Sequence, residues 1–240
     1  MPAAALPFLL VLFLVLAAPG AEAQSQTGAQ SSGEASELTR SLAALKAGGS
    51  EFYLHPLESG WVWQAVDSQP PFHAMTFAPE GQSQRGWTDG LQLGILRDDA
   101  RTPEDLLGWA ERRLATECRD LRRSGLEQGE TDEGWSEAWR LFSCPSRLDE
   151  GPGNRERGEI RLLRAVQGER AAYLIARIWR TDSFEAAVPV SQSEVEQARD
   201  LLAAGGPCLR DSARSTCPFY SSMGLGALDD AKPYGVFNVR

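Results

Sequence analysis

The first 23 residues constrain this chain more than any other segment, because they decide whether its four cysteines can form disulfides. Leu6–Ala18 is an apolar run of 13 residues, shorter than the roughly 20 residues that a membrane-spanning helix needs. A Pro-Gly pair ends the run, and Ala21–Ala23 places small residues at the two positions that a signal peptidase recognises. Residues 1–23 are therefore predicted to be a cleaved signal peptide, with a short uncleaved membrane anchor as the alternative.

The cysteines Cys118, Cys144, Cys208 and Cys217 are even in number, as is typical of disulfides in exported proteins. Cys118 lies near the end of a predicted helix, on its apolar stripe, and Cys144 closes a strand expected to pass beneath it. Cys118–Cys144 with Cys208–Cys217 is the most local of three possible pairings, and free buried thiols are the alternative. We expect a periplasmic protein, with secretion as the alternative.

The composition is that of a globular chain with an acidic surface. Hydrophobic residues make up 42% of the 240 residues and charged residues 24%, and the formal net charge is -9. An acidic surface repels phosphate backbones, so a nucleic acid is not an expected partner. No second long apolar run follows the first, so we expect no stable membrane insertion after signal cleavage.

Four segments are predicted: residues 1–23 as the signal peptide, 24–36 as a flexible linker, 37–217 as a single domain and 218–240 as an irregular tail. The linker is rich in Gln, Ser and Gly and cannot bury enough apolar surface to fold. Within the domain, Leu38, Leu42 and Leu45 recur at helical spacing, which predicts a short helix. His55 falls in a predicted turn before Pro56.

Two longer helices and six strands complete the predicted domain. Thr102 and Asp105 form a capping box at the start of the first helix, and Ser191 and Glu194 do so for the second. The strands are predicted at Trp61–Val66, Phe72–Phe77, Leu91–Leu96, Trp135–Cys144, Ile160–Gln167 and Ala171–Arg180. The fold class that follows is α+β, with a curved antiparallel sheet and helices packed on one of its faces.

No catalytic constellation is recognisable in the sequence. The two histidines, His55 and His73, lie in no known motif, and there is no CxxC pair, so neither a metal site nor a cofactor is predicted. Catalytic residues are therefore left unassigned. The alternative is a hydrolase whose active site pairs a histidine with a carboxylate in a way that a single sequence does not reveal.

The strand Ala171–Arg180 alternates between two faces, and one of them carries residue types enriched at binding interfaces. Tyr173, Arg177 and Trp179 share that face, and they are the candidate partner-binding residues if helices cover the opposite side. The alternative is that the tryptophans simply pack in the core.

Between Arg85 and Cys217 the chain resembles small periplasmic proteobacterial proteins of unknown function. The resemblance is carried by FSCP at Phe142–Pro145, RAVQG at Arg164–Gly168 and YLIARIWR at Tyr173–Arg180. The order of elements is also similar to the PsbP-like fold, whose members mostly act as adaptors or assembly factors. That resemblance implies binding and gives no functional residues.

Together these patterns predict an exported, periplasmic, non-enzymatic protein that binds an envelope protein or a small ligand. The alternative is a periplasmic hydrolase that uses His55 or His73 with a carboxylate. Export, paired cysteines and aromatic-rich strands favour a binding protein. The absence of a recognisable catalytic constellation in the sequence favours it as well.

Overall fold

The computed structural model describes residues 42–48, 51–82, 86–97, 101–148, 156–209 and 237–238. These residues form twelve strands and two helices. In chain order they are β1 Leu42–Gly48, β2 Glu51–Pro56, β3 Trp61–Gln69, β4 Phe72–Pro79, β5 Asp89–Leu96, α1 Pro103–Glu117, β6 Arg122–Arg123, β7 Glu127–Glu130, β8 Ser136–Leu148, β9 Glu156–Gln167, β10 Ala172–Asp182, α2 Gln192–Ala203, β11 Gly206–Leu209 and β12 Phe237–Asn238.

The strands make two sheets. The main sheet has the order β3-β4-β5-β10-β9-β8-β6, with β7 also paired to β8, and every pairing in it is antiparallel. The small sheet has the order β11-β2-β1-β12, in which only the β1–β12 pairing is parallel. The predicted α+β class is thus confirmed, but neither sheet is strongly curled, so the curvature expected from the PsbP-like resemblance is not supported.

The central strand β10 is apolar on both faces, and each face contributes to a separate core. Tyr173 and Ile175 pack in the inter-sheet core, between the main sheet and the small sheet. Leu174 and Ile178 pack in the helix-side core, beneath α1. The predicted alternation along this strand is therefore confirmed.

The two helices lie against opposite faces of the main sheet, so the prediction that both cover one face is wrong. Leu106 and Leu114 of α1 belong to the helix-side core, whereas Ala198 and Leu202 of α2 belong to the inter-sheet core. The physical reason is that β10 exposes apolar side chains on both sides, and each side needs a covering layer.

Both helix starts agree with the sequence. Thr102 accepts a hydrogen bond from the backbone N–H of Asp105, whose carboxylate accepts one in return from the Thr102 backbone N–H. Ser191 and Glu194 make the same reciprocal pair at α2. Each box provides acceptors for N–H groups that have no partner within the helix.

The predicted helix at Leu38–Ala47 is wrong, because the described part of that segment is strand β1. Ala43 and Leu45 point into the inter-sheet core, while Ala44 packs on the other side against Leu54 of β2. A run this short gains little from helix formation alone, so pairing with a neighbouring strand decides its structure. The strand β2 also places His55 in a sheet, not in the predicted turn.

Near the end of the chain, two residues form a strand where no regular structure is predicted. Within the tail predicted to be irregular, Phe237–Asn238 pair in parallel with β1, and the rest of residues 218–240 lie outside the described residues. The predicted signal peptide, the linker and Cys217 also lie outside them. No helix among the described residues is long and apolar enough to cross a membrane.

Cys118 and Cys144 form a disulfide, as the sequence predicts, with Cα atoms 5.6 Å apart. It joins the end of α1 to β8, and Cys118 also makes an isolated β-bridge with Arg147 on the same strand. The covalent bond therefore holds the helix terminus against the main sheet. Cys208 is disulfide-bonded too, while its pairing with Cys217 stays a prediction.

Replacing both Cys118 and Cys144 by Ala should lower the free energy of unfolding by about 3 kcal/mol, because the bond closes a loop of 26 residues in the unfolded chain. Urea unfolding of the oxidised wild type and of the variant measures the difference. A loss under about 1 kcal/mol would show that this cross-link contributes little.

Candidate functional site

A pocket of about 190 Å³ lies between α1 and the main sheet, on the helix-side face. Its floor is mostly apolar, with Phe72, Leu163, Leu174 and Ile178 from β4, β9 and β10, and it also carries Thr76 and Gln92, which hydrogen-bond to each other at 3.4 Å. Its rim carries four arginines, contributed by one helix and three strands: Arg113, Arg147, Arg161 and Arg180. Concave sites that combine apolar walls with a few convergent polar groups are typical of ligand binding.

The aromatic wall of the pocket depends on one glycine. A Cβ atom at Gly90 would lie 2.6 Å from Trp87 Cζ3, so only glycine lets this indole pack against β5. The guanidinium of Arg180 stacks over the Trp87 ring, 3.5 Å from its centroid. Across the pocket, the rings of Trp109 and Phe72 pack with centroids 4.8 Å apart. The wall is therefore held by packing.

Glu159 organises the arginines. This carboxylate is only 4% exposed and accepts hydrogen bonds from Arg147 at 2.9 Å, from Arg161 at 2.6 Å and from Arg180 at 3.2 Å. Strand alternation places Glu159 and Arg161 on the same face of β9, and Arg180 lies directly opposite Glu159 on β10. Three guanidinium groups from three strands thus share one anion.

The charges in this cluster are strongly coupled. Burial by itself would raise the pKa of Glu159, but the fields of Arg161, Arg147 and Arg180 outweigh it and lower that pKa to about 2. Burial also lowers the pKa of Arg180, and Glu159 opposes that shift. At neutral pH the carboxylate of Glu159 is ionised. Its single negative charge neutralises only part of the positive charge of the three guanidinium groups.

Two more carboxylates face the pocket. Asp67 of β3 pairs with Arg113 of α1 at 2.8 Å, and Glu117 at the end of α1 pairs with Arg147 at 2.5 Å. These pairs link α1 to β3, at one edge of the main sheet, and to β8, near the other edge.

A second polar cluster lies in the inter-sheet core. Glu51 accepts hydrogen bonds from the Tyr173 hydroxyl and from the backbone N–H of Arg170, each at 2.7 Å. Burial raises the pKa of Glu51, against the lowering effect of these bonds. Arg164 donates to Glu137 at 2.8 Å and to the backbone carbonyl of Gly205 at 2.6 Å. Most of this cluster is satisfied by protein groups alone.

His55 differs from these groups, since neither of its ring nitrogens has a hydrogen-bond partner and the residue is fully buried. The hydroxyl of the adjacent Tyr53 likewise has no partner. Its neighbour Gly205 cannot be replaced without a clash, because a Cβ atom there would lie 2.3 Å from His55 Nδ1. Burial, with Arg164 nearby, lowers the pKa of His55 to about 3. The imidazole is therefore neutral at pH 7 and has no contact with the pocket.

Tyr173, Arg177 and Trp179 share one face of β10, as predicted, but that face is not an open surface. Tyr173 is fully buried in the inter-sheet core. Arg177 pairs with Glu58 at 2.8 Å and with Asp89 at 2.6 Å, and Trp179 packs at the edge of the same core. The expectation of an outer face is wrong because the small sheet covers it; the partner-binding role stays a prediction.

His73 lies on β4 and is paired across the hairpin with Ser68, whose Oγ is 2.6 Å from His73 Nδ1. No hydrogen bond in the described part of the chain joins either histidine to a carboxylate. The same part contains no group of three or more His, Cys, Asp and Glu side chains that could hold a metal ion.

The sequence did not reveal the pocket residues. Strand alternation could have grouped three of the residues at this site, since Glu159, Arg161 and Leu163 recur at every second position of β9 and must share a face. Arg147, Arg180 and Trp87 could not be added to that set, because only the strand register brings them together.

Replacing His55 by Leu should flatten the acid dependence of stability. The pKa of His55 is lower in the folded state than its ordinary 6.5, so the unfolded chain binds the proton first. Its neutral form supports folding above pH 6.5, and that support is lost as pH falls toward 3, at about 1.4 kcal/mol per unit.

Urea unfolding of wild type and His55→Leu at pH 7 and pH 5 isolates this effect, because the surrounding groups, among them Tyr53 and Arg164, are the same in both proteins. Glu51 has a raised pKa and shifts stability in the opposite direction in each. An equal loss of stability in the two proteins would show that His55 does not titrate in this way.

Replacing Glu159 by Gln should destabilise the fold by about 3 kcal/mol, because it leaves three partly buried guanidinium groups without their shared anion. Glu196→Gln, on the exposed face of α2, is the matched control and should change stability by less than about 0.5 kcal/mol. Thermal and urea unfolding measure both. Similar losses in the two variants would refute the central role of Glu159.

Comparison with known proteins gives no family: no protein-family model matches the chain, and a search of curated proteins finds no significant match.

Proposed function

We propose that this protein is an exported, non-enzymatic binding protein that holds a small ligand in the pocket between α1 and the main sheet. The observation that carries the proposal is the pocket's composition, in which an apolar floor and two indole rings adjoin four guanidinium groups. Periplasmic location is part of the proposal, and it is supported by the apolar N-terminal run and by the Cys118–Cys144 disulfide.

The pocket offers contact area that is already ordered. Trp87 is 5% exposed and is packed against Gly90, and Trp109 packs on Phe72. Rings that are fixed before binding lose little conformational freedom when a ligand arrives, which favours affinity. The volume lies below the range of about 300–1,000 Å³ that is usual for drug-sized ligands, so the proposed ligand is small.

Binding is favoured over catalysis because the pocket has no group suited to move a proton at neutral pH. The pKa of Glu159 is about 2, and Asp67 and Glu117 are each paired with an arginine. Neither histidine is among the residues that line this pocket. A general acid or base needs a pKa near the working pH, and the pKa of Glu159 lies far below it.

The pocket is also a better candidate than the face of Tyr173, Arg177 and Trp179. Arg177 already has two carboxylate partners and stacks over Trp61, 4.5 Å from its centroid. A partner at that face would have to displace these contacts. In the pocket, by contrast, a ligand occupies space that the described side chains leave open.

Replacing Ala110 by Phe should fill the pocket from α1 and weaken ligand binding about tenfold or more, since Ala110 lines the cavity. Phenylpropanoate is the probe, and isothermal titration calorimetry measures its affinity. Trp63→Ala is the control for non-specific binding, because Trp63 on β3 is a half-exposed aromatic side chain to which an apolar probe could bind outside the pocket.

Binding to wild type should also shift the indole NMR signals of Trp87 and Trp109, a result that does not depend on the stability of the variant. Unchanged affinity in Ala110→Phe, or a loss only in Trp63→Ala, would refute the pocket as the site. Probe-induced shifts confined to other tryptophans would do the same.

A further inference from the structure

We infer that the pocket selects an anionic ligand with an apolar body, whose negative group binds the arginine cluster around Glu159 and whose apolar part lies between Trp87 and Trp109. This inference rests on the proposed function and goes further by naming the ligand class. It is carried by the arrangement of charge and apolar surface, not by any similarity to another protein.

The charged groups at the pocket carry a net positive charge. Four arginines line the pocket, and among the residues that the structure describes the carboxylates that contact them are those of Asp67, Glu117 and Glu159. One positive charge is therefore left in excess within this described set, at a partly buried site, while the chain as a whole carries -9. Partly buried charges are screened less than exposed ones, so the excess favours an anion.

Arg180 is the arginine best placed to bind an anion. It contacts Glu159 through Nε, at 3.2 Å, and its guanidinium carbon lies over the Trp87 ring, 3.5 Å from the centroid. The hydrogen bonds described for this side chain leave its two terminal amino groups for another acceptor. Those two groups present the forked donor geometry that matches a carboxylate or a phosphate.

Glu159 also pre-organises the arginines for an anion. Arg147, Arg161 and Arg180 come from three adjacent strands and would repel one another if they were unpaired. The shared carboxylate holds them together without neutralising all of them. A ligand anion would therefore add to an existing cluster and would not need to assemble one.

The apolar body follows from the rest of the lining. Phe72, Leu163, Leu174 and Ile178 form most of the floor and offer no hydrogen bond to an inorganic anion, while its two polar residues, Thr76 and Gln92, are hydrogen-bonded to each other. An anion alone would leave this surface wet, whereas an attached aromatic or aliphatic group would cover it. The arrangement thus favours an amphipathic acid of about one ring over free phosphate.

A charge series on one carbon skeleton tests the inference. Phenylpropanoate, phenylpropanol and phenylpropylamine share the ring and chain and differ in the charge of the end group. Wild type should bind the acid at least about tenfold more tightly than the alcohol, as expected for charge-assisted hydrogen bonds, and should bind the amine most weakly. Affinity for the acid alone should fall as sodium chloride is raised.

Arg180→Met should remove this preference by weakening the acid about tenfold or more while leaving the alcohol unchanged. Arg199→Met is the matched control, since Arg199 also pairs with a carboxylate, Glu127, and lies over an indole ring, that of Trp139. It lies outside the pocket and should leave all three affinities as they are.

The outcomes separate the two proposals. Equal binding of acid and alcohol, or tighter binding of the amine, overturns the anionic preference and leaves the pocket as a ligand site. Binding of inorganic phosphate as tightly as the acid overturns the apolar body. Binding of none of the three probes overturns the proposed function, and the ligand class with it.

Discussion

The structure depends on one strand that is apolar on both faces. β10 places Tyr173 and Ile175 on one side and Leu174 and Ile178 on the other. Neither set can face water without a large loss of hydrophobic free energy, so the main sheet needs a layer on each side. The small sheet with α2 supplies one layer and α1 supplies the other. The helix-side layer is what encloses the pocket.

Charged groups occur in both layers, and their partners decide what they do. In the inter-sheet core, Arg164 and Glu51 are satisfied by protein groups, and His55 stays neutral because burial disfavours its charged form. On the helix side, Glu159 is shared by arginines that outnumber it. In the first arrangement the charged groups are satisfied by protein groups, whereas the second keeps donors available at an opening.

Sequence patterns predicted the local features well and the long-range ones poorly. The capping boxes at Thr102 and Ser191, the alternation of β10 and the Cys118–Cys144 bond were all predicted, because each depends on residues close in sequence or on simple periodicity. The helix predicted at Leu38–Ala47 failed, because strand pairing with β2 outweighed the helical spacing of its three leucines.

What the sequence by itself determined is therefore the set of elements that local chemistry specifies: two capped helices, a run of alternating strands, and the cysteine pair that joins α1 to β8. Only the tertiary structure decided that the helices lie on opposite faces, that Tyr173 is buried, and that arginines from three strands meet at Glu159. The reason is that contacts between distant segments set the strand register and the stacking of the layers. No local sequence pattern shows which of these segments become neighbours.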